Sequence, residues 1–241
     1  GGPPGRDCAA PGARSVVFFP AGTVFFGFHR LARYTSFGAH GYVRTMGAEV
    51  NSKTYSREQR TRYRQRLLEN LDRFAGYLST AKFADTSSIG LELELNLTNQ
   101  DFEPALRNTA VLEEIADPAF QTEIGAFNIE MNHPALSIKG SGLRDLEDSL
   151  RFQLNRADTR AAEVKTEILM VGILPTLQPA VLEDKEWLSA GKRYAALNTS
   201  VLQARGEDVH VDLRGAEPLS FYAKNIAPEA ACTSVQLHLE V

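Results

Sequence analysis

The segment Ile89-Gly90-Leu91-Glu92-Leu93-Glu94-Leu95-Asn96-Leu97 constrains the fold more than any other. Leu91, Leu93, Leu95 and Leu97 fall on one side of an extended chain; Glu92, Glu94 and Asn96 fall on the other. Strict period-two alternation predicts a strand with one buried face and one polar face. The same pattern returns at the end of the sequence, over residues 232–241. There Val235, Leu237, Leu239 and Val241 alternate with Gln236, His238 and Glu240. Strands of a parallel sheet are covered on both faces and read as continuous apolar runs. These two are not of that kind. The expectation is an α+β fold: an antiparallel sheet with helices packed on its apolar face.

The helices follow from apolar periodicity. Ser56-Arg57-Glu58-Gln59 has the form of a capping box, and Tyr63, Leu67, Leu71, Phe74 and Leu78 then recur at helical spacing. The spacing predicts an amphipathic helix of about six turns with a structural role. Asn108 is placed as the cap of a short helix that runs through Ala116 and is broken by Asp117-Pro118. Residues 121–132 read as two extended pieces around Gly125, with Phe127, Ile129 and Met131 alternating with Asn128, Glu130 and Asn132. A long amphipathic helix starts near Gly142. An apolar strand is expected over 168–174, a loop over 176–191, a helix over 194–203 and a strand over 209–213.

Residues 1–45 differ from the rest. They are rich in Gly, Pro, Ala and Arg, and their apolar run from Val16 to Phe28 is too short to span a bilayer. Arg14 precedes that run as in a secretory signal, but no small-residue cleavage pattern follows. The preferred reading is a disordered or wrongly included leader ahead of a start at Met46. The leader carries five arginines and one aspartate, a net of +4. The remaining residues carry 21 basic and 29 acidic side chains, a net of -8. This balance argues against a general nucleic-acid binder. An acidic domain that binds an anion needs cations to do so, and divalent metal is the obvious source. Cys8 and Cys232 cannot form a disulfide framework, so a reducing cytoplasm is the simpler location.

Glu92 and Glu94 project from the same sheet face with their backbones about 7 Å apart. Taken alone, Glu-Leu-Glu describes a half-exposed strand with solvated glutamates, and a single strand histidine is more often structural than ligating. The combination points further. Glu123, Glu130 and His238 lie on neighbouring extended segments and could complete an oxygen-rich cluster suited to Mg²⁺ or Mn²⁺.

These segments resemble the glutamate–cysteine ligase family, in particular its bacterial carboxylate–amine ligase branch. The resemblance rests on residues 89–94, on Thr122-Glu123 through Asn132, and on Ser234-Val235-Gln236-Leu237-His238-Leu239. Gly172-Ile173-Leu174-Pro175-Thr176 and Arg193-Tyr194 add to it. It implies a glutamine-synthetase-like catalytic sheet on which Glu92, Glu94, Glu123, Glu130 and His238 hold metal ions that bridge ATP. Gln236 is implied as a nucleotide contact, and Arg193 as a clamp on a substrate carboxylate. The implied reaction is amide formation in two steps. ATP phosphorylates a carboxylate, classically the γ-carboxylate of glutamate. An amine, classically that of cysteine, then displaces phosphate, as in glutathione biosynthesis.

The family extends past Val241. Residues 46–241 are therefore expected to be the N-terminal half of a ligase domain, truncated inside a strand and inactive in isolation. The expected partners are small amino-acid substrates, without nucleic acid or membrane, and homo-oligomerisation is left open. Two alternatives stand beside this reading: a ligase for another acid and amine on the same scaffold, and a non-catalytic binding or dimerisation protein.

Overall fold

The computed structural model describes residues 49–83 and 87–240. The expected leader, residues 1–45, lies outside them.

The main sheet has five antiparallel strands: β1 (Ser88–Thr98), β2 (Phe120–Thr122), β3 (Asn128–Ser137), β4 (Glu167–Leu169) and β7 (Val235–Leu239). Strand β1 is its axis. β3 pairs along one edge of β1, and β2 lies outside β3. The other edge is shared: β4 pairs with Asn96–Thr98 and β7 with Ile89–Leu93. Leu91, Leu93, Leu95 and Leu97 point into the larger core. There they meet Val111 and Ile115 of α2 (Asn108–Ile115) and Ala157 and Ala161 of α3 (Gly142–Glu163). Helices therefore cover the apolar face over β1 and β3, and the fold is α+β. On β7 the expected burial fails, since among the described residues no helix covers that strand and Val235, Leu237 and Leu239 stay exposed.

The segment between β4 and β7 meets the polar side at points, where Asn96 bonds Val171 and Arg193 bonds Thr122. It contains α4 (Pro179–Glu183), α5 (Lys192–Arg205), the hairpin β5 (Val209–Leu213) and β6 (Leu219–Ala223), and α6 (Ala227–Ala230). A second apolar cluster forms around Phe127, Trp187, Ile226 and Ala230. This segment also satisfies buried polar groups of the sheet and of α2. Asn96 Nδ2 donates to the Val171 carbonyl at 2.8 Å, and Asn108 Nδ2 donates to Ser189 Oγ at 2.7 Å.

Several expectations change in detail. The apolar run 168–174 forms a strand only to Leu169, because β7 occupies the rest of the β1 edge. The loop 176–191 contains the short α4, and β6 is an additional strand. Asn108 lies inside α2 rather than capping it; Arg107 holds the cap position without a side-chain bond. The helix α1 (Arg57–Thr80) does begin with the capping box. Ser56 Oγ accepts from the Gln59 backbone at 3.2 Å, and Gln59 Oε1 accepts from the Ser56 backbone at 2.8 Å. Its apolar stripe, however, is not buried: no residue of α1 is. Among the described residues, no helix is long and apolar enough to cross a membrane.

Candidate functional site

The polar side of the sheet is where the singled-out residues meet. Across the β1–β3 ladder, Glu92 faces Asn132, Glu94 faces Glu130 and Asn96 faces Asn128. Across β1–β7, Glu92 faces Gln236 and Gly90 faces His238. Directly opposed residues project to the same side of an antiparallel sheet. Glu92, Glu94, Glu130, Gln236 and His238 therefore share one face. Gln121 faces Glu130 from β2, and Glu123 follows two positions later at the end of that strand.

The acids are crowded and partly dry. Glu130 is buried; its Oε1 accepts from Gln121 Nε2 at 2.8 Å and from Asn132 Nδ2 at 2.6 Å. Burial raises its pKa above the ordinary carboxylate value, and the Glu92 charge adds to this. Glu94 is raised first by burial and then by Glu130, against the hydrogen bonds it accepts. Those come from the Ser234 backbone at 2.9 Å and from Gln236 Nε2 at 3.2 Å. Glu123 is pushed up to about 8, by burial and then by the charges of Glu130 and Glu94; Arg193 acts in the opposite sense. A carboxyl displaced this far by desolvation and neighbouring carboxylates marks a place where negative charge is poorly solvated.

Glu92 and His238 form the other end of the cluster. Glu92 is only 6% exposed, and its Oε1 is buried without a hydrogen-bond partner. His238 Nε2 stands 3.4 Å from that oxygen, near enough for charge attraction to a protonated ring but outside hydrogen-bond geometry. The histidine itself is more open to solvent.

Arg193 opens α5 beside the acids. Its guanidinium donates to the Thr122 carbonyl at 3.1 Å and to the Tyr194 hydroxyl, and lies 4.5 Å above the Tyr194 ring. The Tyr194 hydroxyl in turn donates to the Thr122 carbonyl. Arg193 and Tyr194 thus tie α5 to the end of β2, one residue before Glu123. The Glu49 carboxylate accepts from the Lys192 and Arg193 backbones at 2.6 and 3.1 Å, satisfying donors at the start of α5. His133 goes elsewhere. It faces Leu91 on the helix-covered side, where Nε2 meets Ser149 Oγ of α3 at 2.8 Å, so its closeness to the cluster in sequence is not closeness in space.

Sequence reasoning missed Gln121 and Glu49. Extending the two-residue period back from Glu123 finds Gln121; Glu49 is far from α5 in the chain and carries no local signal.

The donor set suits a hard divalent cation: four carboxylates, an imidazole, and an orphaned buried oxygen on Glu92. Its closure does not. Among the described residues, no three His, Cys, Asp or Glu side chains are gathered tightly enough to hold an ion. The Glu130 oxygen turns instead toward Gln121 and Asn132, the Glu94 oxygens toward Ser234 and Gln236, and Glu123 Oε2 accepts from the Ile124 backbone at 3.0 Å. A surface recess of about 410 Å³, lined by residues that include Leu106, Asn108 and Leu188, contains none of these acids. Comparison of the chain with family models, curated proteins and solved structures found no match in any of the three.

Proposed function

We propose that the polar face of the sheet is the metal–nucleotide half of an ATP-dependent carboxylate–amine ligase site of the glutamate–cysteine ligase type, on a glutamine-synthetase-like sheet. One observation carries the reading. Glu92, Glu94, Glu123, Glu130 and His238, which span almost 150 positions of sequence, converge on one partly dry surface. A structural sheet gains nothing from four buried or half-buried carboxylates, three of which, Glu94, Glu123 and Glu130, are raised above the ordinary value by burial and by neighbouring charge. Such crowding is useful where cations are to be bound.

Glu92, Glu94, Glu123, Glu130 and His238 would hold Mg²⁺ or Mn²⁺, with Glu94 and Glu130 giving up bonds they now make to neighbouring amides. The bound ions would neutralise charge on the phosphates of ATP. The protein's own contribution is positional. The β1–β3 and β1–β7 pairings fix the spacing of the carboxylates. Gln236 would contact the nucleotide, exchanging its bond to Glu94 for one to ATP. Arg193, already oriented by Thr122 and Tyr194, would present its guanidinium to a substrate carboxylate at the Glu123 edge. Glutamate and cysteine are the substrates of first choice, and another acid–amine pair on the same scaffold is the alternative.

Mn²⁺ titration followed by electron paramagnetic resonance tests the metal site without requiring turnover. The wild-type chain is expected to bind Mn²⁺ and to bind it more tightly with ATP. The double variant Glu92→Gln, Glu94→Gln should lose this binding while remaining folded. Indistinguishable Mn²⁺ binding by the two proteins would remove the ligase reading. ADP release across acid and amine pairs would then identify the substrates.

A further inference from the structure

Helix α5 opens at Gly191, which has no side chain to cap it and sits at φ +136°, a conformation that favours glycine. The Glu49 carboxylate takes the capping role from outside the helix. It accepts from the Lys192 and Arg193 backbones, and its second oxygen lies 3.2 Å from where a Cβ on Gly191 would stand. A carboxylate at a helix N-terminus is favoured by the free N–H groups and by the helix dipole. The same short arm is fastened again further along α5. Arg60 donates to the Tyr55 carbonyl at 3.0 Å and to Gln203 Oε1 at 3.3 Å. Lys192 and Gln203 stand about 16 Å apart along the helix. Residues 49–60 therefore follow α5 from its first turn to its last.

Arg193 is held at both ends. Its backbone N–H is fixed on Glu49, and its guanidinium on the Tyr194 hydroxyl and the carbonyl of Thr122, the residue before Glu123. We infer that Glu49 is a positioning residue: by capping α5 it sets where Arg193 presents its guanidinium to a substrate carboxylate. This rests on the ligase reading proposed above. The arm ahead of α1 thereby governs affinity for the acid substrate and leaves affinity for metal to the sheet.

The test compares the wild-type chain with Glu49→Ala, Glu49→Gln and Ser56→Ala. L-Glutamate binding is measured by calorimetry with saturating Mn²⁺ and a non-hydrolysable ATP analogue, and amide exchange by nuclear magnetic resonance. Glu49→Ala should weaken glutamate binding about tenfold, the scale of a lost cap, and leave Mn²⁺ affinity unchanged. The Lys192 and Arg193 amides should exchange about tenfold faster. Glu49→Gln keeps an acceptor oxygen and should retain most of the affinity. Ser56→Ala removes the cap of α1 instead, and should leave glutamate binding as it is. In an Arg193→Gln background, Glu49→Ala should add nothing, because the two act through one guanidinium. Equal glutamate affinity in the wild type and Glu49→Ala overturns the inference and leaves the ligase reading standing. So does a Glu49→Ala effect that persists without Arg193, or equal amide exchange in the two proteins. A wild type that binds Mn²⁺ but no glutamate overturns it as well. A wild type that binds no Mn²⁺ removes the ligase reading itself, and the inference with it.

Discussion

Glu94 and Glu130 stand directly opposite one another across the β1–β3 ladder, each partly or wholly withdrawn from water. Like charges in directly opposed positions destabilise a sheet. Here the adjacent ladder positions soften that cost with amides. Asn132 and Gln121 bond Glu130, and Gln236 bonds Glu94. The repulsion that is left falls most heavily on Glu123, beside them at the end of β2.

That placement fixes how stability responds to pH. Glu123 has an ordinary carboxylate pKa when unfolded and one of about 8 when folded. Between those values the folded state binds more protons, so stability is greatest at the acid end and falls as pH rises toward 8. Glu94 and Glu130 are shifted in the same direction and add to the slope. Urea denaturation should therefore give a free energy higher at pH 5.5 than at pH 8, with Glu123 contributing about 2–3 kcal/mol of the difference. The Glu123→Gln variant should flatten the profile and be more stable than wild type at pH 8. An unchanged profile would mean that Glu123 is solvated rather than desolvated.

Divalent cations should act in the opposite sense. They favour the ionised carboxylates, so the stability lost at pH 8 should be recovered when Mg²⁺ is added and lost again with chelator. By mass action, saturation at about 100 times the dissociation constant corresponds to about 2.7 kcal/mol. Thermal unfolding at pH 8, with and without Mg²⁺, measures this. The response should vanish in the Glu92→Gln, Glu94→Gln double variant and persist in Glu240→Gln, which changes an exposed acid near the end of the sheet.

How much of this was legible in the sequence depends on how far each cause lies along the chain. β1 was readable because each of its faces is uniform, leucine on one side and polar residues on the other. The Ser56–Gln59 box was readable because its partners are three residues apart. The shortening of β4 was not, since it results from competition with β7, some 65 positions later, for the same edge of β1. Asn108 misled for a similar reason. Its type suits a helix cap, but its amide is claimed by Gly125, Asn128 and Ser189. The two-residue period also separates His133 from Asn132 and Glu130 by face.

Asn108 is consequently a structural pin. Its Nδ2 lies within hydrogen-bond reach of the Gly125 and Asn128 carbonyls and of Ser189 Oγ, joining α2, β3 and the segment between β4 and β7. Replacement by alanine strands these buried acceptors, and the loss should be about 2–4 kcal/mol. Denaturant titration of Asn108→Ala measures it. A change below about 0.5 kcal/mol, the range of an ordinary surface substitution, would mean that solvent reaches these groups.

Gly142 supplies the last prediction, which rests on space alone. A Cβ built at this position, the first residue of α3, falls 1.7 Å from the Ser137 carbonyl oxygen. The obstacle is backbone at the end of β3 and cannot rotate away, so even alanine must separate the strand end from the helix start. The disturbance would pass along α3 to Leu146 and Ala157, which are buried against the sheet. Gly142→Ala should therefore cost about 2–4 kcal/mol, well beyond an exposed helix substitution. Gly76→Ala is the control: its Cβ would meet nothing within 4 Å, and it lies within α1. There, intrinsic helix propensity predicts a gain of about 1 kcal/mol. Thermal unfolding of both variants decides the matter, and a Gly142→Ala protein as stable as wild type would show that β3 and α3 meet less closely than described.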